Sequence, residues 1–279
     1  MDMLTIVPAW EEAISAWETE LRSIGRPRST RYQRCYHLRR LGHDHRDTTP
    51  WQITREHLVY WFAAHDWAPE TRRSYRASVR GFYEWAIATG RTAVDPAASL
   101  PAIRLPRVRP RPAPNDVVDA GMRAVDHRTR LMIYILALTG LRRAEVAAIH
   151  ARDLERSIDG WQLRVVGKGG HERVVPVDRD LAAMIRERGD GWIFPGQIDG
   201  HLSPAHLGKL VSRALPDGWT AHNLRHRFAT VTYRESRDIR AVQELLGHAS
   251  IRTTQIYTDV PQGVLRTVAS AARSGLRAA

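Results

Sequence analysis

The sequence predicts a mainly α-helical protein with one small β-hairpin or sheet, arranged as two domains. Apolar residues recur at helical spacing over most of the 279 residues. Alternation of apolar and polar residues, which is typical of strands, is clear only within 161–177, on both sides of a glycine-rich turn. A proline-rich stretch lies between the two halves, and the length suits about two domains of ~150 residues.

The first 100 residues are expected to form a helical domain. Each predicted helix has a start signal or an apolar stripe of its own. In chain order these are the apolar spacing over 9–24, a cap at Ser29 or Thr30, a cap at Thr54, and Pro69 at the start of a helix to residue 88.

The fourth of these helices is amphipathic. Its apolar side is expected to face the core through Val79, Phe82, Tyr83 and Ile87. Four arginines recur along the rest of it: Arg72, Arg73, Arg76 and Arg80. Such a row could follow a phosphate backbone, and a solvated basic face explains it equally well.

Residues 101–114 are predicted to be a linker. They hold five prolines and four arginines, which excludes a helix or a central strand. The result is a stiff, basic, extended connection. Arg104, Arg107 and Arg109 are candidate contacts to a nucleic-acid backbone that the two domains would clasp.

Residues 115–279 are predicted to be a mixed α/β domain. The hairpin pairs 161–166 with 172–177, and a short strand is expected near 192–194. Helices are expected on both sides of it, at 115–125, 130–139, 142–149, 178–188, 204–214, 222–234, 239–246, 250–257 and 261–272.

Composition narrows the partners. The net charge is +12, and only two of the 42 basic residues are lysines, Lys168 and Lys209. A positive charge of this size points to nucleic acid or an anionic membrane surface, and a solvated basic surface is the alternative. No apolar run approaches the ~20 residues that span a bilayer. The single cysteine, Cys35, excludes an internal disulfide and a cysteine-built zinc site, so a reducing cytoplasm is expected.

The stretch from His222 to Tyr257 concentrates reactive side chains. His222, Arg225 and His226 have the spacing of one helix face, and Tyr257 supplies a hydroxyl nearby. A tyrosine beside cations indicates attack on a phosphodiester through a covalent intermediate. The His-x-x-x-His spacing also suits a metal, but Asn223 stands where zinc proteases have Glu and no third ligand is nearby, so no metal is expected.

Two further pieces precede this stretch. Arg142 follows the turn at Gly140 and begins a helix, where free N–H groups favour an anion, and Glu145 could orient an arginine. Lys168 stands on the hairpin turn, and a lysine, unlike an arginine, can give up its proton. Taken alone, Arg142 is an ordinary exposed arginine and Lys168 a chance exception, as Lys209 is in a plain helix.

Together these pieces resemble the tyrosine recombinase, or phage integrase, family over residues 115–262. The matching residues are Arg142 in TGLRRAE, Lys168, His222 and Arg225 in HNLRH, His248 in LLGH and Tyr257 in TTQIYT. The FYEW segment and the linker look like the family's core-binding domain. His171 departs from the pattern, since that place is often basic.

The resemblance implies a reaction that needs neither a metal nor another cofactor. Tyr257 would attack the scissile phosphate and form a 3′-phosphotyrosyl link, and a Holliday junction would follow. Arg142 and Arg225 would bind the non-bridging oxygens, and Lys168 would protonate the leaving 5′-oxygen. His222 would act as a base or a phosphate donor, His248 would donate to the phosphate, and Glu145 would hold the site's geometry.

The resemblance also implies partners. Double-stranded DNA with core-type sites is expected, bound by a homotetramer, with an accessory DNA-bending or directionality factor as a further partner and no membrane. The tail, 262–279, would pack on a neighbouring protomer. The bacterial cytoplasm, at the nucleoid, is the expected location. A compact integrase of an actinobacterial phage or mobile element is the leading interpretation.

Three alternatives remain. A Xer-like dimer resolvase has the same two-domain pattern. A type IB topoisomerase shares the chemistry, but the compact size and the spacing from LLGH to the tyrosine argue against it. A DNA-binding module without activity is disfavoured because all six candidate residues are present.

Overall fold

The computed structural model describes residues 5–106, 111–123, 126–167, 170–247 and 262–273. The chain divides into two compact units, Met1–Val108 and Arg109–Ala279. The division falls within the stretch 101–114 that was predicted to be a linker. Each unit has a hydrophobic core of its own.

The described residues of the first unit form a short 3-10 helix at Pro50–Gln52 and, as the sequence predicts, four α-helices. They are α1 (Pro8–Ser23), α2 (Arg28–Asp44), α3 (Arg55–Ala64) and α4 (Pro69–Ala88). Thr54 caps α3 as predicted, because its side chain accepts a hydrogen bond from the backbone N–H of His57. The predicted cap of α2 is wrong, since that helix already begins after Pro27, which has no side chain able to cap it.

Aromatic rings fill the core of the first unit. The ring of Phe82 lies 5.6 Å from that of Trp17 and 5.9 Å from that of Trp51. Val79, Phe82 and Tyr83 are buried as predicted, but Ile87 is 39% exposed. The prediction for Ile87 is wrong because Trp85 and Ala86 turn inward in the last turn of α4, which directs Ile87 to solvent.

Three of the four arginines on α4 are bonded within the first unit. Arg72 donates to the carbonyl of His65, and Arg76 donates twice to the carbonyl of Leu100, at 2.6 and 3.2 Å. Arg80 pairs with Glu84. The two remaining described candidates, Arg73 and Arg104, are exposed. Arg107 and Arg109 lie outside the described residues.

The second unit is built around helix α6 (His127–Thr139), whose residues from Leu131 to Thr139 are all buried. The other helices surround it: α5 (Asn115–Arg123), α7 (Arg143–Ala147), α8 (Arg179–Arg186), α9 (Pro204–Ala214), α10 (Ala221–Ser236), α11 (Ile239–Leu246) and α12 (Gln262–Ser270). Most predicted helices are found within a few residues of their expected ends. The helix predicted at 250–257 lies outside the described residues.

The sheet of the second unit has one strand more than the predicted hairpin. It is antiparallel in the order β1 (Leu154–Ser157), β2 (Gly160–Val166) and β3 (Glu172–Val177). Leu163 lies opposite Leu154 on one side and Val175 on the other. The strand expected at 192–194 is misplaced: Trp192 forms a single bridge with His150, and strand β4 is Pro195–Ile198.

Within the ranges that the structure describes, no helix is both long and apolar enough to cross a membrane.

A buried histidine marks the centre of the first unit. The His37 ring stacks on Tyr75 at 3.9 Å, and its Nδ1 lies 2.8 Å from the Ser78 hydroxyl. His37 is 5% exposed, and burial lowers its pKa to about 4. The imidazole is therefore neutral at pH 7.

We expect His37 to titrate near pH 4 in the folded protein and near ~6.5 in the unfolded chain. Between these values the unfolded chain binds the extra proton, so the free energy of unfolding falls by roughly 1.4 kcal/mol per pH unit as the pH decreases. Histidine NMR titration measures this directly, with His37→Gln to assign the signal. A midpoint near 6.5 for the folded protein would contradict the buried placement.

Candidate active site

Arg142 is held at the start of helix α7 by Glu145. Gly140 ends α6 in the left-handed conformation, with φ of 64°, and Arg142 then caps α7. Glu145 Oε2 accepts from the backbone N–H of Arg142 at 2.8 Å, and its Oε1 accepts from Arg142 Nη1 at 2.9 Å. The Arg142 side chain remains 36% exposed. The partial positive charge at the start of α7 and the positive charge of the Arg142 guanidinium therefore lie together.

Glu145 itself is buried, with its side chain 4% exposed. Arg173 of β3 forms a bidentate salt bridge to it, with Nη2–Oε2 and Nη1–Oε1 distances of 2.8 and 3.1 Å. Burial acts to raise the pKa of Glu145, but the hydrogen bonds from Arg173 and Arg142 outweigh it and lower that pKa. The carboxylate is therefore ionised at neutral pH.

Arg225 of helix α10 joins the same cluster. Its Nη1 donates to the carbonyl of Gly140 at 2.6 Å, and its Nη2 to the carbonyl of Leu246 at 2.8 Å. The residue is 8% exposed. Burial first, and then repulsion from Arg142, lowers its pKa to about 10, which still leaves it charged at neutral pH.

Two histidines share the face of α10 that carries Arg225. The rings of His222 and His226 are 4.2 Å apart in an edge-to-face arrangement. His222 is exposed and His226 half-buried. Burial, with the neighbouring His222 and Arg225, lowers the pKa of His226. His222 is therefore the histidine that an approaching ligand meets.

A basic groove opens beside these residues. Its volume is about 1260 Å³. The groove is lined by Arg142, His222 and Arg225. The start of α7 adds Arg143, and one face of α9 adds His206, Lys209, Ser212 and Arg213. Gly208 of α9 faces Arg143, since a Cβ there would lie 3.4 Å from the Arg143 side chain. We call this surface the basic groove.

The end of the predicted linker lies against the N-terminus of α10, the helix that carries His222 and Arg225. The Arg111 guanidinium stacks on the Trp219 ring at 4.0 Å. Asn223 donates from its side chain to the carbonyl of Arg111 and accepts at its own carbonyl from Ala113. The chain is thus fixed at the N-terminus of α10, beside His222.

The structure brings together Arg142, Glu145, His222 and Arg225 of the predicted site. Lys168, His248 and Tyr257 lie outside the described residues. The described residues that precede His248 and Lys168 reach the cluster: the carbonyl of Gly247 accepts from Arg142 at 3.3 Å, and a Cβ on Gly167 would lie 3.6 Å from Glu145. Among described residues, no group of three or more His, Cys, Asp or Glu could hold a metal ion.

Sequence reasoning missed two parts of the site. Arg173 gave no signal of its own, because an arginine in a strand is ordinary. Lys209 was taken for a chance exception, but His206, Lys209 and Arg213 have the spacing of one exposed helix face, and that periodicity could have revealed the groove wall.

Comparison with known proteins identifies the family to which this chain belongs. The model of the phage integrase family matches residues 114–262. A tyrosine recombinase XerC of Xanthomonas campestris pv. campestris (strain B100) is 35% identical over 213 residues, which are 68% of this chain and 64% of that relative. The alignment thus spans less than two thirds of the relative's length.

Solved structures share the fold. An integrase from mycobacterium phage Brujita has a TM-score of 0.53 and 25% identity, covering 98% of this chain and 96% of that one. A lambda integrase tetramer bound to a Holliday junction has a TM-score of 0.69 and 19% identity, covering 90% of this chain and 80% of that one. The chain belongs to the phage integrase family of tyrosine recombinases.

Gly140 provides a test of how the turn between α6 and α7 packs against Phe228 and Leu246. A Cβ at this position would collide with Phe228 and lie 2.9 Å from Leu246, at a positive φ. Gly140→Ala should therefore lower the free energy of unfolding by about 1–3 kcal/mol more than backbone strain alone. The matched control is Gly189→Ala, with φ of 75° and open space around it, which should lose only about 1–2 kcal/mol. Equal losses in urea denaturation would contradict the contact.

Proposed function

We propose that this protein is a site-specific DNA recombinase that cuts and rejoins DNA through a 3′-phosphotyrosyl intermediate. The observation that carries the proposal is the convergence of Arg142 and Arg225 at the basic groove. Each guanidinium is oriented by carbonyl or carboxylate acceptors, so each is fixed before a substrate arrives. Fixed donors of this kind stabilise charge that develops on a phosphate.

The electrostatics of the cluster favour an anion. Among the described residues, three guanidiniums, those of Arg142, Arg173 and Arg225, interact with one carboxylate, that of Glu145. Repulsion from Arg142 is one cause of the lowered pKa of Arg225. A phosphate between Arg142 and Arg225 would offset that repulsion, and arginine binds phosphate oxygens in a bidentate fashion.

The roles that we propose for the site residues follow the family chemistry. Tyr257 attacks the phosphate, and Lys168 gives its proton to the leaving 5′-oxygen. Arg142 and Arg225 bind the non-bridging oxygens. Three further residues support them: His222 as base or phosphate donor, His248 as phosphate donor and Glu145 as the anchor of Arg142. The contacts of Gly167 and Gly247 with the cluster support the proposed places of Lys168 and His248.

The substrate that we propose is double-stranded DNA in the basic groove. Its wall carries Arg143, Lys209 and Arg213 in addition to the site cations, which suits a polyanion. A homotetramer on two synapsed sites is the proposed assembly, supported by the fold shared with the lambda integrase tetramer on its Holliday junction. Exchange of the tail between protomers and an accessory bending factor belong to the same proposal.

Integration of phage or mobile-element DNA is the first candidate among recombination reactions. The Brujita phage integrase, which aligns with nearly the whole chain, supports it. Dimer resolution is the second candidate, and the relatives named XerC favour it. The two differ in which DNA sites are joined and share the cleavage chemistry.

Tyr257→Phe tests the proposed nucleophile. The variant should bind DNA with wild-type affinity but form no covalent protein–DNA adduct, because the attacking hydroxyl is missing. Trapping on a nicked substrate followed by denaturing gel electrophoresis measures the adduct. Tyr233→Phe, at an exposed tyrosine of α10, is the matched control and should cleave normally. Adduct formation by Tyr257→Phe would exclude Tyr257 as the nucleophile.

The groove wall predicts a salt dependence. Lys209→Ala and Arg213→Ala should each weaken DNA binding and reduce the slope of log affinity against log salt by about 1, since each removes one phosphate contact. Arg188→Ala, an exposed arginine after α8, is the control and should leave the slope unchanged. Identical slopes for all four proteins would show that DNA does not occupy the groove.

A further inference from the structure

Arg173 connects three elements of the candidate site through one guanidinium. It stands on β3, and its side chain is only 10% exposed. Its Nη1 and Nη2 bind Glu145 of α7, and its Nε donates to the carbonyl of Leu245, in the last turn of α11, at 2.9 Å. Unlike Arg142 and Arg225, the side chain does not line the basic groove, so any effect on the reaction passes through its neighbours.

We infer that Arg173 is a positioning residue, which holds Glu145 so that Arg142 presents its guanidinium to the scissile phosphate. The inference rests on the proposed function and adds a residue to it. It assigns Arg173 a role in the cleavage step beyond that of a stabilising salt bridge.

Glu145 accepts four hydrogen bonds, two at each carboxylate oxygen. Oε1 accepts from Arg173 Nη1 and Arg142 Nη1, and Oε2 accepts from Arg173 Nη2 and the backbone N–H of Arg142. Arg173 therefore occupies both oxygens, and Arg142 gives only one guanidinium nitrogen to the carboxylate. Without Arg173, the buried carboxylate of Glu145 would draw the Arg142 guanidinium into a bidentate salt bridge, away from the groove.

Two glycines lie beside the Arg173 side chain. A Cβ on Gly247 would lie 3.0 Å from the Arg173 guanidinium, and a Cβ on Gly167 would lie 3.4 Å from its Nη1. The backbone at both glycines thus packs directly on this side chain. These are the residues that immediately precede His248 and Lys168 in the chain. A shift of Arg173 would therefore move the starting points of both segments.

A purely structural role makes a different prediction from a positioning role. If Arg173 only stabilises the fold, its replacement lowers the unfolding temperature and leaves the cleavage rate of the folded fraction unchanged. If it positions Arg142, the folded variant binds DNA normally and cleaves slowly. A misplacement of about 1 Å at a reacting centre can cost on the order of 100-fold in rate.

The test compares Arg173→Lys and Arg173→Met with wild type. Lysine keeps the positive charge but cannot form the bidentate salt bridge with Glu145. At saturating nicked DNA, we expect adduct formation to slow by about 10-fold for Arg173→Lys and about 100-fold for Arg173→Met. The DNA dissociation constant should stay within about 2-fold, because Arg173 does not line the groove. Arg164→Lys, on the adjacent strand with pairs to Asp153 and Glu155, is the matched control and should change neither quantity.

Arg173→Met leaves a buried carboxylate with a partner removed, so a second variant guards against misfolding. Glu145→Gln combined with Arg173→Met removes that charge. Because both residues act through the same contact, the double variant should cleave no more slowly than the slower single variant. Multiplicative losses would overturn the inference.

The remaining outcomes separate the inference from the proposed function. Wild-type cleavage by Arg173→Lys, or equal losses of affinity and rate, would overturn the positioning role while the proposed function stands. Absence of any adduct with the wild-type protein would contradict the proposed function, and the inference with it.

Discussion

The buried carboxylate of Glu145 is the constraint on which the site depends. A carboxylate removed from water costs several kcal/mol unless cations and hydrogen bonds compensate it. Here Arg173 and Arg142 supply that compensation, so α7 and β3, 28 residues apart at these two positions, must meet at this carboxylate. Leu245 joins them through Arg173. The position of Arg142 is thus fixed by interactions that join α7, β3 and α11.

The same arrangement creates an excess of positive charge at the groove. Among the described residues, one carboxylate compensates three guanidiniums only in part, and the burial of Arg225 limits the screening of its charge by water. Arg225 completes the cluster, since the carbonyls of Gly140 and Leu246 orient it without neutralising it. A site with two more positive than negative charges among its described residues, beside a groove lined by further cations, is suited to a phosphodiester.

Local patterns predicted much of this molecule. Spacing of three and four residues placed His222, Arg225 and His226 on one face of a helix, and Gly140 with Glu145 marked the turn and helix start that hold Arg142. Long-range contacts were not predictable in this way. Arg173 matters only because β3 folds against α7, and β1 is a four-residue strand without alternation that exists because β2 offers it an edge. Ile87 was assigned to the core because periodicity does not show where a helix leaves it.

The central claim is that the fixed arginines serve attack by Tyr257 on DNA. Mass spectrometry of the covalent complex tests it most directly: wild-type protein is trapped on a nicked duplex, digested with protease and nuclease, and the modified peptide is sequenced. The account predicts a residual 3′-nucleotide on the peptide that contains Tyr257, and on that tyrosine. A nucleotide on any other side chain would contradict it, as would a link through the 5′-phosphate.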